Sequence, residues 1–142
     1  MKIILLDIDD TLAKENVLDE CSLANLKLLI DATGASIVLS SDWKFSPKHL
    51  ARLEDEFGKL GIPKWIDTTP FKPIEFSDRD ANRANEILDW LSRHPEVTNW
   101  VILDDMLMFN CSQPEIKDHF VHTLWTLFDE NKLIEAKKIL EG

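Results

Sequence analysis

The chain has 142 residues, of which 44% are hydrophobic and 30% charged, a composition typical of one globular domain with its own core. Its 26 acidic and 16 basic side chains give a formal net charge of −10, which argues against broad, sequence-independent binding to a nucleic-acid backbone. The two cysteines, Cys21 and Cys111, lie far apart without metal-binding spacing, so both are predicted to be reduced core residues. The N-terminal apolar run stops at Asp7, too short for a signal peptide or membrane span, so a cytoplasmic location without a membrane partner is expected.

The first part of the chain predicts two buried strands with a helix between them. Residues 2–6 form a compact run rich in Ile and Leu, typical of a buried parallel strand. Apolar residues at helical spacing predict a helix over residues 23–30, with Ser22 as candidate N-cap and Gly34 as its stop. Residues 35–39 then predict a second buried strand.

The remainder of the chain continues the alternation of helices and strands. Its predicted elements are a helix over 47–60, a weak strand over 64–67, a loop over 68–77, a helix over 80–92, a strand over 100–103, a short strand at 120–121 and a closing helix over 133–140. Such alternation indicates an open, mostly parallel sheet covered on both faces. The predicted fold class is therefore α/β: a single three-layer, Rossmann-like domain over residues 1–142, with a mostly parallel five-stranded sheet.

Polar residues come directly after three of the predicted strands. They are Asp7, the pair Ser40-Ser41 and the pair Asp104-Asp105. In open parallel sheets the ligand lies at the carboxyl ends of the strands, so these side chains are expected to form one site.

The first of these polar groups belongs to the segment Asp7-Ile8-Asp9-Asp10-Thr11, which directly follows an apolar strand. Two carboxylates two residues apart, with a threonine at a fixed offset, resemble the first motif of the haloacid dehalogenase (HAD) superfamily. A carboxylate can attack a phosphoryl group and form an aspartyl-phosphate, while a second one protonates the leaving oxygen and later activates water. The resemblance implies that Asp7 is the nucleophile, that Asp9 is the acid and base, and that Mg²⁺ is the cofactor.

The second motif of that superfamily is a hydroxyl at the end of the next strand, where it binds a phosphate oxygen. Ser41 is the preferred candidate for this role, and Ser40 is the reserve. Residues 38–44 also resemble the pattern of hydroxyl, any residue, Trp and basic residue in one HAD subgroup. That subgroup is the HAD domain associated with Swiss Army Knife RNA-repair proteins.

The third motif is a basic residue near the start of the helix before the fourth strand, where it neutralises charge on the phosphoryl group. Residues 83–91 resemble the same subgroup's Arg-Gly-x-Glu-Ile-x-x-Trp-Leu block, with Ala84 in place of glycine. The resemblance implies that Arg83 binds the phosphate. Lys72 and Arg79 remain alternatives, because only the tertiary structure decides which base reaches the site.

The fourth motif is an acidic pair after an apolar strand, here Asp104 and Asp105. The resemblance implies that this pair, together with Asp7 and the backbone carbonyl of Asp9, holds magnesium. Which of the two acidic residues is the direct ligand stays open.

The spacing of the motifs leaves no room for a separately folded cap. Neither the interval from Asp7 to Ser41 nor that from Ser41 to Arg83 is long enough, so a HAD-like domain without a cap is expected. By resemblance, capless phosphatases act on large phosphorylated substrates through an open site. Others gain a lid from an oligomeric partner and act on small molecules.

Several functions stay open on the sequence alone. The Swiss Army Knife association suggests a phosphorylated nucleic-acid end as substrate, and a nucleotide is the other candidate. Lys44, Lys72 and Trp43 are candidates to hold one terminal nucleotide, whereas the net charge of −10 argues against an extended nucleic-acid surface. The alternative is a non-catalytic module that binds phosphate or a partner. Loss of Asp7 or Asp9 would indicate such a module, and both are present.

Overall fold

The computed structural model describes residues 1–71, 79–108 and 114–142. Its elements in chain order are β1 (Lys2–Leu6), β2 (Ala13–Lys14), β3 (Val17–Leu18), α1 (Glu20–Thr33), β4 (Ser36–Leu39), a 3-10 helix (Asp42–Phe45), α2 (Pro47–Leu60), β5 (Asp67–Thr68), α3 (Arg79–Ser92), β6 (Asn99–Asp104), α4 (Pro114–Asp118), β7 (Phe120–His122) and α5 (Glu130–Glu141). None of the helices in these ranges is long and apolar enough to cross a membrane.

Five strands form one sheet in the order β5-β4-β1-β6-β7, and every neighbouring pair is parallel. This confirms the predicted α/β class and the five-stranded sheet. The central strand β1 pairs with both neighbours in one register, so that Leu6 lies opposite Leu39 on one side and Leu103 on the other. The residues that follow these three leucines therefore meet side by side at the carboxyl edge of the sheet.

Helices cover both faces of the sheet, as predicted. Ile4 and Leu6 of β1 face a core that also contains residues of α1, α2 and α5. The alternate residues Ile3 and Leu5 face a second core with residues of α3 and α4. Successive side chains of a strand point to opposite faces, so β1 serves both cores and is buried along its length.

The helix predicted over residues 23–30 is longer than expected and begins at Glu20. Its N-cap is Asp19 and not Ser22, because the Asp19 carboxylate accepts a hydrogen bond from the Ser22 backbone N–H at 2.9 Å. A negative charge at this end also complements the helix dipole. Cys21, predicted to be in the core, is exposed because the second residue of this longer helix lies off its apolar face. Cys111 lies outside the described residues.

The helix predicted over residues 47–60 is confirmed at both ends, with Ser46 as its N-cap. The weak strand predicted over 64–67 is instead the two-residue β5 at 67–68, which pairs with Val38 and Leu39. The β2–β3 hairpin, the 3-10 helix and α4 were not predicted, because elements of two to five residues are too short to show a period. The predicted loop over 68–77 is described only as far as residue 71.

Two exposed glycines offer a test of the helix termini. Gly34 ends α1 in the left-handed region at φ 71°, whereas Gly58 lies within α2, and a Cβ at either position would meet no atom within 4 Å. We expect Gly34→Ala to lower the free energy of unfolding by about 1 kcal/mol, because alanine is strained at positive φ. Gly58→Ala should raise it by about 0.5–1 kcal/mol through helix propensity. Urea denaturation of both variants checks this, and a loss of stability in both would contradict it.

Candidate active site

Three polar side chains form a row at the carboxyl edge of the sheet. Asp7, Ser40 and Asp104 come one residue after the three leucines that lie in register, so all three lie on the face covered by α3. The strand ladder continues into this row, because the Asp7 N–H donates to Leu103 O and the Ser40 N–H to Leu6 O, both at 3.0 Å. The sheet itself thus fixes the positions of the row.

A buried arginine from α3 lies over this row. Arg83 is 4% exposed, and its Nη1 is 2.7 Å from Oδ2 of Asp104 and 3.4 Å from Oδ1 of Asp7. Its Nη2 lies 3.5 Å from Oδ1 of Asp42. Burial by itself lowers the pKa of the guanidinium, but the surrounding carboxylates outweigh this and raise it. Arg83 therefore stays charged and is the only positive charge that the described structure places against Asp7.

Carboxylates of Asp7, Asp104 and Asp105 form a cluster whose ligand oxygens lie within 4.8 Å of one another. Burial raises the pKa of Asp7 well above its ordinary value, and the charge of Asp104 adds to this while Arg83 opposes it. Burial likewise raises the pKa of Asp104 to about 6, against the lowering effect of Arg83. Carboxylate oxygens are the ligands that Mg²⁺ prefers, and a divalent cation would offset the repulsion among the three carboxylates. The cluster therefore fits a divalent cation.

The two members of the acidic pair lie in different surroundings. Asp104 is completely buried, and both of its oxygens are engaged, Oδ2 by Arg83 and Oδ1 by the backbone N–H of Met106 at 3.0 Å. Asp105 is half-buried and lines the cleft. Its backbone carbonyl oxygen lies 2.8 Å from Nε2 of His122. The more accessible carboxylate is therefore that of Asp105.

Asp9 lies at the opening of the cleft and is exposed. Its Oδ1 accepts a hydrogen bond from Nε1 of Trp43 at 3.0 Å. The backbone turns sharply after it, since Asp10 has a φ of 57°. The Thr123 hydroxyl stabilises this turn by donating to Asp10 O at 3.0 Å, and it also lies 2.8 Å from the Thr11 hydroxyl.

The two serines of the second motif are both fully buried but differ in their contacts. Ser41 is the N-cap of the 3-10 helix, and its Oγ accepts the backbone N–H of Trp43 at 3.1 Å. Ser40 Oγ is buried without a hydrogen-bond partner among the described residues. A buried hydroxyl left without a partner is rare, and it marks a place where a ligand atom would satisfy it.

The other predicted basic and aromatic residues lie in distinct places. Arg79 is at the cleft mouth with its side chain 75% exposed, 3.7 Å from Asp42. The Lys44 ammonium is buried, where it pairs with Glu86 at 3.3 Å and donates to Thr69 Oγ1 at 3.0 Å. Trp43 is 4% exposed, so neither Trp43 nor Lys44 presents an open surface to a nucleotide. Lys72 lies outside the described residues.

These residues surround a cleft of about 420 Å³ at the edge of the sheet. It is lined by Asp7, Asp9, Asp10, Asp42, Arg79, Asp80, Arg83, Asp105 and Met106. Sequence reasoning did not identify Asp42, Asp80 or Met106. No motif or period marks them, and they reach the cleft only because the segments after β4 and β6 converge there with the first turn of α3.

Comparison with known proteins agrees with this architecture. The sequence profile of the HAD domain in Swiss Army Knife RNA repair proteins matches residues 3–127, a span that contains every residue lining the cleft. No curated protein and no solved structure matches the chain. A HAD domain of this kind suggests a phosphatase-like hydrolase. Since the match covers most of its length, the chain belongs to the family of HAD domains found in Swiss Army Knife RNA repair proteins.

Proposed function

We propose that this protein is a magnesium-dependent phosphomonoester hydrolase that works through an aspartyl-phosphate on Asp7. The proposal rests on the surroundings of Asp7. Its carboxylate is buried but lines an open cleft, and Nη1 of Arg83 lies 3.4 Å from its Oδ1. A nucleophilic carboxylate needs a cation beside it, because both it and the phosphate are anionic. Arg83 supplies positive charge directly. The nearby acidic cluster would supply more of it by holding a metal ion.

Asp7 and Asp105 are the residues that would hold magnesium, with the backbone carbonyl of Asp9 as a further oxygen donor. Asp105 is preferred over Asp104 because both oxygens of Asp104 already have partners. Asp104 instead fixes Arg83 at the site. When bound, the magnesium ion supplies the positive charge that lets a carboxylate approach a phosphate group.

The proposed reaction has two displacements. Asp7 attacks phosphorus, the bond from phosphorus to the leaving oxygen breaks, and Asp9 gives that oxygen a proton. Water then attacks the phosphorus of the aspartyl-phosphate while Asp9 takes up a proton from it. Inorganic phosphate leaves and the Asp7 carboxylate is restored, with Arg83 facing the phosphoryl oxygens in both steps.

Ser40 is proposed as the hydroxyl that binds the phosphate, in place of the initially preferred Ser41. Its Oγ shares a face of the sheet with Asp7 and has no partner within the described ranges. Ser41 Oγ is already an acceptor for the 3-10 helix.

A nucleotide or a phosphorylated nucleic-acid end is the proposed substrate. A smaller recess of about 150 Å³ adjoins the cleft and shares Asp42, Arg79, Arg83 and Met106 with it. Phe71 lines this recess, is 63% exposed and contacts Phe45 edge to face at 5.1 Å between ring centroids. Exposed aromatic rings beside a phosphate site suit stacking of a base. A single end is favoured over a long duplex by the net charge of −10.

Asp7→Asn should abolish turnover and yet stabilise the metal-free protein. Loss of the nucleophile should lower magnesium-dependent phosphate release from an aryl phosphate by at least about a thousandfold. Burial raises the pKa of Asp7 in the folded state, so the folded protein holds this proton more tightly than the unfolded chain. The free energy of unfolding therefore falls as the pH rises above the pKa of Asp7 in the unfolded chain. Asparagine removes that penalty, and the urea midpoint without magnesium should therefore be higher than wild type at pH 7.5, with a smaller difference at pH 4.

The matched control is Asp31→Asn. Asp31 is an exposed carboxylate on α1 that pairs with Lys27 one helical turn away. This change should leave turnover intact and alter stability by no more than about 0.5 kcal/mol. Phosphate release by Asp7→Asn at the wild-type rate would contradict the proposed mechanism. An inactive wild type that still binds inorganic phosphate would favour the non-catalytic module.

Paired serine variants distinguish the phosphate ligand from the helix cap. Ser40→Ala removes a hydroxyl that has no described partner, so it should keep stability but lower kcat/KM about tenfold or more. Ser41→Ala removes a cap and should cost about 1 kcal/mol of unfolding free energy with a smaller effect on kcat/KM. Urea denaturation and aryl phosphate kinetics on both variants check this. A larger loss of kcat/KM in Ser41→Ala than in Ser40→Ala would contradict the assignment and indicate that Ser41 binds the phosphate.

Adenosine 5′-monophosphate carries adenine where ribose 5-phosphate carries the C1 hydroxyl, and a comparison of the two esters tests the substrate proposal. The wild type should prefer the nucleotide, and Phe71→Ala should reduce this preference about tenfold through KM while sparing ribose 5-phosphate. Trp125→Ala is the control, because Trp125 is 91% exposed but does not line the cleft. Equal use of both esters by the wild type, or an unchanged ratio in Phe71→Ala, would refute the stacking role.

A further inference from the structure

Trp43 connects the second motif to the first. It lies in the 3-10 helix after β4, and its backbone N–H donates to Ser41 Oγ at 3.1 Å. Its indole Nε1 donates to Oδ1 of Asp9 at 3.0 Å, across 34 positions of sequence. Asp9 itself is exposed, so this bond joins a buried, fixed ring to a carboxylate that is otherwise open to the cleft.

The ring of Trp43 is held from several sides. It belongs to the core between the sheet and helices α1, α2 and α5, and it is 4% exposed. His49 contacts it with ring centroids 4.7 Å apart, and the Arg52 guanidinium lies 5.3 Å from the ring centroid. A side chain packed in this way keeps one rotamer, so the position of its N–H is fixed by the fold.

We propose that Trp43 is a positioning residue for the acid and base Asp9, holding its Oδ1 so that Oδ2 faces the leaving group. The inference rests on the proposed phosphatase function. An indole N–H is a donor only and accepts no hydrogen bond. While Oδ1 accepts this bond, Oδ2 is the oxygen left to exchange a proton with the leaving group and with water.

In the first displacement the proton on Oδ2 passes to the leaving oxygen as its bond to phosphorus breaks, and Asp9 becomes a carboxylate. In the second, Oδ2 takes a proton from the attacking water, which restores the starting state. No other donor or acceptor is needed for this balance. Loss of the indole N–H should therefore impair proton donation most strongly for leaving groups that need it.

A structural role alone predicts a different outcome, and Trp90 supplies the comparison. Trp90 is 3% exposed, and its Nε1 donates to Oδ2 of Asp67 at 2.8 Å, so both its burial and its bond match those of Trp43. Asp67 belongs to the edge strand β5 and does not line the cleft. Trp90→Phe thus removes an equivalent hydrogen bond that has no contact with the site.

The experiment measures kcat/KM for a series of aryl and alkyl phosphates whose leaving groups range from strongly to weakly acidic. kcat/KM reports the first displacement, and good leaving groups depart without a proton. Trp43→Phe should lower kcat/KM about tenfold or more for alkyl phosphates and less than about threefold for a nitrophenyl phosphate. Trp90→Phe should change both classes equally.

An unchanged ratio of alkyl to aryl activity in Trp43→Phe would overturn the positioning role. A wild type that is inactive on every ester would instead overturn the proposed function, so the two failures are distinguishable. If phenylalanine prevents folding, the benzothiophene isostere of tryptophan at position 43 keeps the shape but has no N–H. That variant should show the same selective loss, and a wild-type ratio in it would also overturn the inference.

Discussion

The candidate site depends on one ion pair that the parallel sheet assembles and a helix completes. In-register pairing brings Asp7 and Asp104 to adjacent strand ends, both nearly or fully buried. Two such carboxylates are costly together without a cation, because burial disfavours their charged forms. Arg83 offsets that cost from above. Its removal would leave buried charges unpaired, so the geometry of the site and the stability of this edge of the sheet depend on the same contact.

One arginine does not neutralise the acidic cluster. Asp7, Asp104 and Asp105 together bring more negative charge than the guanidinium balances. Burial is the main cause of the raised pKa values of Asp7 and Asp104, and repulsion between the carboxylates adds to it. Strain of this kind is typical of functional sites, where a ligand relieves it. A divalent cation and a phosphate would therefore be bound in a linked way, since the cation relieves the carboxylates and together with Arg83 attracts the anion.

The longer strands, the longer helices and the edge of the sheet that carries the site were predictable from the sequence, because apolar runs and periods specify them. The sequence could not predict which of two neighbouring candidate residues reaches the site. Arg79 and Arg83 lie one turn apart on α3, yet one is exposed at the cleft mouth and the other is buried against Asp7. Only the angle at which the helix packs decides between them. Asp42 reaches Arg83 at 3.5 Å through the 3-10 helix, which was too short to predict.

The adjacent serines show why strand register matters to chemistry. Alternation in a strand sends Ser40 to the face of Asp7, while Ser41 stays free to cap the 3-10 helix that carries Trp43. That cap fixes the turn from which the indole reaches Asp9. One serine is thus the proposed phosphate ligand, and the next orients the tryptophan that reaches the proposed acid and base. Exchanging their roles would need a one-residue shift of β4 against β1, which would also turn Ile37 and Leu39 out of their core.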